Sequence, residues 1–170
     1  ELDIEQLKTH ISIHLERKGL RAEEAIIVAK CIEFNRALKS ADFSVNSIGD
    51  EGTAALSDAL KTNSTLETLN LRSNEVGAAG AQSLAGMLQV NRALTSVNLL
   101  KNDLGDGAAA VVAAAKQHGN IKTLCGIERG KAEVIDPCNG LASTVLSDGN
   151  FFGEDILSNH EPQQSFVCAK

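Results

Sequence analysis

The sequence predicts a short, right-handed α/β solenoid, with parallel strands on a concave face and helices on a convex face. Three observations predict it. A pattern of apolar residues, asparagine and glycine recurs every 28 residues, and internal repetition at such a period marks a stacked array. Within each unit the apolar spacing changes from every second residue to every third and fourth, a strand followed by an amphipathic helix. The apolar residues are almost all aliphatic. Five Phe, no Trp and no Tyr give an aromatic share of 3% in a chain that is 43% hydrophobic, which suits thin, stacked layers better than one large globule.

The clearest unit begins Leu66-x-x-Leu69-x-Leu71-x-x-Asn74-x-Val76. The unit before it reads Leu38-x-x-Ala41-x-Phe43-x-x-Asn46-x-Ile48, and the one after reads Leu94-x-x-Val97-x-Leu99-x-x-Asn102-x-Leu104. Further along, Gly52 and Gly80, Leu56 and Leu84, Leu60 and Leu88, and Asn63 and Asn91 keep the same offset. Backwards, the register lands on Leu20, Val28, Ile32 and Asn35, and the alternation of Ile11-Ser-Ile13-His-Leu15 predicts the first strand. Forwards it slips by one, because Ile121 and Leu124 follow Leu94 and Val97 by 27 residues; an irregular last strand is predicted over Thr123 to Ile127. Stretches such as Gly80-Ala-Gln-Ser-Leu84-Ala-Gly-Met-Leu88 predict the helices.

Asn46, Asn74 and Asn102 follow the strands, where a buried amide can pair backbone groups of its own turn and the adjacent one. Gly49, Gly77 and Gly105 come next, where the turn needs a permissive backbone. Asp50 and Asp106 are expected to be helix N-caps. This pattern resembles the ribonuclease-inhibitor-like class of leucine-rich repeats, and NOD-like receptors and Ran GTPase-activating proteins carry similar units. The stretch Asn46-Ser-Ile-Gly-Asp-Glu-Gly-Thr-Ala-Ala-Leu-Ser-Asp-Ala-Leu60 is very close to that class, and Thr123-Leu-Cys-Gly-Ile127 looks like a string that recurs in repeat arrays of unicellular eukaryotes. The resemblance implies a horseshoe fragment over residues 11–127, about four units, acting as a non-catalytic protein-binding module.

The ends fall outside the pattern. Residues 1–10, with Leu2, Ile4 and Leu7, are expected to form an N-terminal cap. Residues 128–170 lose the repeat and are expected to be an irregular C-terminal cap or arm. Asp136 falls where an inward apolar residue would stand, and the segment holds both prolines and Phe151, Phe152 and Phe166. Its seven acidic and three basic residues supply four of the six net negative charges. Either it folds back using Phe151, Phe152, Ile156 and Leu157, or it extends to dock on a partner.

Composition and motif spacing narrow the chemistry. A net charge of −6 speaks against nucleic acid as a partner, which needs clustered cations. No apolar run is long enough for membrane insertion. No nucleophile–base set, metal-ligand spacing or phosphate loop is visible, so neither a cofactor nor a small-molecule substrate is expected. His10 and His14 read as solvated or structural, and the glycines of Gly49-Asp-Glu-Gly52 belong to the repeat. Cys31, Cys125, Cys138 and Cys168 are expected to be free thiols of a cytoplasmic protein, with an organelle interior as the alternative; a Cys125–Cys138 pair would need a hairpin.

Binding is expected on the concave sheet. Its columns read Ser12, Ser40, Thr68, Ser96; His14, Asp42, Asn70, Asn98; Glu16, Ser44, Arg72, Leu100; and Arg17, Val45, Ser73, Lys101. The expected partner contacts are Asp42, Ser44, Thr68, Asn70, Arg72, Ser96, Asn98, Leu100 and Lys101, with Phe151 and Phe152 from the arm. The expected partner is another protein or a multi-subunit complex. The alternative is an accessory subunit anchored in a large assembly through its ends or its C-terminal arm.

Overall fold

The computed structural model describes residues 11–128, 131–135 and 142–147. Four strand–helix units run in order: β1 (Ser12–His14), α1 (Ala22–Phe34), β2 (Ser40–Asp42), α2 (Gly49–Thr62), β3 (Thr68–Asn70), α3 (Ala78–Val90), β4 (Ser96–Asn98) and α4 (Gly107–His118). Then come β5 (Thr123–Glu128), β6 (Lys131–Ile135) and β7 (Ala142–Ser147). All seven strands form one sheet in chain order. Strands β1 to β5 are parallel, and β6 and β7 continue the sheet antiparallel. A short α/β solenoid is the result. The N-terminal segment 1–10, Phe151 and Phe152 lie outside the described residues.

The first four strands are three residues long because only the middle side chain must point inward. Ile13, Ala41, Leu69, Val97 and Leu124 stand in one register and are all buried. The one-residue slip is real: Ser96 pairs with Thr123 at a separation of 27. Its cause is the end of α4. The first three helices close on Asn35, Asn63 and Asn91 in extended backbone, whereas α4 closes on Gly119 at φ +80°, a tighter left-handed turn. Beyond β5 the sequence shows no helical period, and the chain returns beside β5 as β6 and then β7 instead of crossing over. No strand was expected there, because the short segments carry no repeat signal.

Buried Leu38, Leu66 and Leu94, with Val28, Leu56 and Leu84 and with Ile32, Leu60 and Leu88, stack unit on unit between sheet and helices. Each full burial of such a side chain stabilises the fold by about 1.5–3 kcal/mol. Close helix packing needs missing side chains: a Cβ on Gly52 would lie 2.6 Å from Ile48 and 2.9 Å from Ala25. In α1 the same position is Glu24, whose Oε2 instead accepts the Arg21 N–H at 2.9 Å. At the other end Ala109, Ala113 and Lys116 of α4 are exposed, where Ala81, Ala85 and Leu88 of α3 are buried.

Two asparagine ladders hold the units together. Asn63 donates to Ile32 and Asn35 carbonyls at 2.8 and 3.0 Å while accepting from Thr65 and Leu66 amides at 2.9 Å. Asn91 repeats that set one unit on. The second ladder behaves as expected at Asn46 and Asn102. Asn46 Oδ1 accepts the Lys18 and Leu20 amides at 3.0 Å, and its Nδ2 donates to the Leu15 and Phe43 carbonyls. Asn102 does the same with Asn74 N–H, Val76 N–H, Leu71 O and Leu99 O. Asn74 differs: its Nδ2 donates to Phe43 and Arg72 carbonyls, yet its buried Oδ1 has no hydrogen-bond partner among the described residues.

The expected N-caps are corrected by the structure. Asp50 does not cap its own helix. Its Oδ1 accepts the Gly77 and Gly80 amides at 2.7 and 2.8 Å, which closes the N-terminus of α3 in the next unit. Asp106 stands at the N-cap position of α4 but makes no capping bond. The reason is geometric: Ile48 and Asp106 precede their helices in helical backbone, so their side chains do not fold over the first turn.

Candidate partner-binding face

The expected concave columns are those of the structure. Ser12, Ser40, Thr68, Ser96 and Thr123 pair in register, as do His14, Asp42, Asn70, Asn98 and Cys125. Alternation puts both columns on the face opposite the helices, since the residue between them is buried in every strand. Asp42, Ser44, Thr68, Arg72, Ser96, Asn98 and Leu100 are half-buried, Lys101 is exposed, and Asn70 is buried.

The second column is ordered by its own hydrogen bonds. Asp42 Oδ1 accepts the Ser44 amide at 2.8 Å, Asn70 Oδ1 the Arg72 amide at 3.1 Å, and Asn98 Oδ1 the Leu100 amide at 3.0 Å. Asn70 Nδ2 then donates to Asp42 Oδ2 at 3.0 Å across the strands. Asn70 thus links the strand beside it to the turn that follows its own. Each acidic or amide side chain closes a small turn on the residue two further along, so Ser44, Arg72 and Leu100 are presented from braced backbone.

The residues after these turns were harder to foresee. Arg17, Val45, Ser73 and Lys101 all have positive φ, between 54° and 58°. Their amides explain how this is held: Arg17 N–H donates to Ser44 O, Val45 N–H to Arg72 O and Ser73 N–H to Leu100 O, at 2.8–3.0 Å. Val45 is the unusual member, a β-branched side chain in left-handed backbone that is also 43% exposed. Nothing in its residue type signals that conformation; the asparagine after it and the strand beside it impose it.

Cys125 also joins the concave column and was not among the expected contacts. It is a free thiol, and burial pushes its pKa up to about 11, so it is a poor nucleophile at neutral pH. Cys31 is likewise free, and Cys138 lies outside the described residues. Among the described residues no three His, Cys, Asp or Glu side chains gather where they could share a metal ion, and no helix is long and apolar enough to cross a membrane. The face offers side chains for contact and hydrogen bonding.

Comparison with known proteins agrees with this geometry. Residues 62–85 match the family described as Leucine Rich repeat. That stretch matches a leucine-rich repeat, in keeping with the solenoid fold. It runs from the end of α2 through β3 and the Asn74 turn into α3, so it covers the concave strand holding Thr68 and Asn70. Among solved structures, leiomodin-1 actin-binding site 2 is similar at 20% identity, with a TM-score of 0.63 over 70% of this chain and 73% of that one. At that identity the likeness concerns the fold. No curated protein sequence matches the chain.

Proposed function

We propose that the chain is a non-catalytic adaptor or scaffold module that binds another protein through its concave sheet, and that its array is of the ribonuclease-inhibitor-like class. The observation that carries the binding proposal is the braced column Asp42–Asn70–Asn98. Polar side chains ordered before a partner arrives lose little freedom on contact, which is what preorganised recognition requires. The similar structure is titled an actin-binding site, which supports a protein partner of some kind. The helix in every unit and the 28-residue spacing of the first three support the class. Cytoplasmic residence is a proposal of the same kind, to be tested by imaging the tagged full chain.

The test is capture from native extract by the tagged full chain, with cross-linking. Thr68→Arg with Ser96→Arg places bulk on the concave face without touching the core. About ten-fold weaker capture of the main partner is expected, while Gln82→Arg on the exposed side of α3 leaves capture unchanged. Equal capture by both variants overturns the concave-face reading.

A second reading, an accessory subunit held by its ends, is favoured by one observation. Three large apolar residues of the first unit are well exposed: Ile11 at 67%, Ile27 at 51% and Phe34 at 73%. Ile27→Asp with Phe34→Asp would release the chain from a heavy particle under this reading and leave capture intact under the first.

A further inference from the structure

Residues 11–125 carry twelve Lys or Arg and twelve Asp or Glu, yet the two signs are not spread evenly. On the rim where helices end and strands begin, segments 30–40, 58–68, 86–96 and 115–123 hold seven of the cations and only three of the carboxylates. All three carboxylates are already paired: Glu33 with Lys30, Asp58 with Lys61 and Glu67 with Lys39, at 2.6–3.1 Å. Arg36, Arg92, Lys116 and Lys122 remain exposed, with no carboxylate of the described residues in ion-pair reach. Compensation of the helix dipoles accounts for Lys116, which lies in a last turn. Arg36, Arg92 and Lys122 stand beyond the helices.

Two of those cations belong to a motif that occurs twice. Phe34-Asn-Arg36-Ala-Leu38 returns as Val90-Asn-Arg92-Ala-Leu94, and the unit between them reads Thr62-Asn-Ser64-Thr-Leu66. Both apolar residues are largely exposed, Phe34 at 73% and Val90 at 59%. The asparagine inside each motif fixes the turn. Asn35 Oδ1 accepts the Ala37 and Leu38 amides at 2.6 and 2.7 Å, and Asn91 Oδ1 accepts the Ala93 and Leu94 amides at 2.9 Å. Arg92 is held further, its Nη1 donating to the Leu88 and Asn91 carbonyls at 3.3 and 2.9 Å. A guanidinium has five N–H donors, so the rest of the fork is left for a carboxylate. Neighbouring helices pack about 8–10 Å apart, so α1 and α3 present the two apolar–arginine pairs about 16–20 Å from each other. Exposed Thr62 and Ser64 form a low polar saddle between them.

We infer that this rim is a second interaction surface, on which Phe34 with Arg36 and Val90 with Arg92 hold an acidic amphipathic segment of a partner protein. An apolar residue beside an uncompensated cation, twice at one span, complements an apolar residue beside a carboxylate, twice at the same span. Eleven residues of helix cover about 16 Å, and six residues of strand about 20 Å. Two apolar side chains parted by a polar saddle suit such a segment better than a lipid surface, which calls for a continuous apolar face. The inference goes beyond the concave-face reading and does not rest on it.

Fluorescence anisotropy of the full chain with two labelled synthetic probes tests the rim at low salt. One probe is a helix-forming peptide with two Leu–Glu pairs eleven residues apart, the other an extended peptide with the pairs six residues apart. At least one is expected to bind, and about ten-fold more weakly to Arg36→Glu or to Arg92→Glu. Lys in place of the peptide's Glu should recover that loss. Arg36 has no hydrogen bond or ion pair with the described residues, so its reversal reads the rim even where Arg92→Glu disturbs the end of α3; circular dichroism checks the fold of each variant. Val90→Asp should weaken binding too, which separates the rim from the apolar end of the first unit. Thr68→Arg with Ser96→Arg should leave the probes bound, so failure of the concave-face reading is told apart from failure of this one. No binding of either probe, or binding that ignores the charge reversals or the spacing of the pairs, would overturn the inference. So would an Arg36-dependent affinity found only for phosphatidylserine vesicles or only for a second copy of the chain.

Discussion

The junctions between neighbouring units are of two kinds. Between the first and second units, and between the third and fourth, the asparagine of the later unit reaches back: Asn46 and Asn102 each accept two amides of the unit before. Between the second and third units the direction reverses. Asn74 Oδ1 accepts nothing from the described residues, and Asp50 reaches forward to cap α3 through Gly77 and Gly80. The backbone follows the same alternation. Gly19 and Glu75 take positive φ in the first and third units, Gly49 and Gly105 in the second and fourth. One strand-and-asparagine motif thus supports two bonding schemes, and the residue at the start of each helix alternates with them, Asp50 and Asp106 against Ala22 and Ala78.

Removing the backward lock should have the largest effect. Asn102→Ala strands two buried amides and two buried carbonyls, and a loss of about 3 kcal/mol is expected in urea unfolding. Asn74→Ala gives up two donated bonds and should cost about half as much; equal losses would dissolve the distinction between the junctions. Next comes the forward cap. Asp50→Ala should cost about 1–2 kcal/mol, as loss of a good N-cap does. Asp106→Ala should change unfolding by less than about 0.5 kcal/mol, since it caps nothing among the described residues.

A smaller gain sharpens the same comparison at the turn shared by both kinds of unit. Val45→Gly relieves left-handed backbone at an exposed site and should stabilise by about 1 kcal/mol. Arg17→Gly, without β-branching, should gain less.

The last prediction concerns the irregular end of the array. His118 is buried, accepts the Asn120 amide at 3.3 Å through Nδ1, and has its pKa held below the usual histidine value by burial first and by nearby Arg92 second. A pKa lowered in the folded state means that the unfolded chain takes up the proton first. Stability should therefore fall as pH drops below about 6.5, and the loss should be complete below the folded-state value. His118→Asn should flatten that part of the profile, measured by thermal unfolding between pH 7.5 and 5. An unchanged profile would assign the dependence to other groups.

Much of this could be read in the residues. The short strands, the slip before Thr123, the four helices and the membership of the concave columns all follow from side-chain period, because burial repeats wherever the backbone repeats. Asp50 misled for a related reason: an aspartate at the start of a helix looks like that helix's cap, and only the neighbouring unit shows which amides lie within 3 Å. Outward alternation likewise does not disclose that Asn70 bonds Asp42 across the strands and accepts the Arg72 amide.

The amino-acid sequence by itself determined the unit, its length and which face each strand residue takes, since these depend on spacing along one chain. Tertiary structure decided which unit each polar side chain serves, the left-handed turn at Val45, and the return of β6 and β7 along the sheet. Those depend on partners 26 to 31 residues away or on sheet pairing, and a hydrogen bond across units is set by distance in space, for which local residue type carries no code.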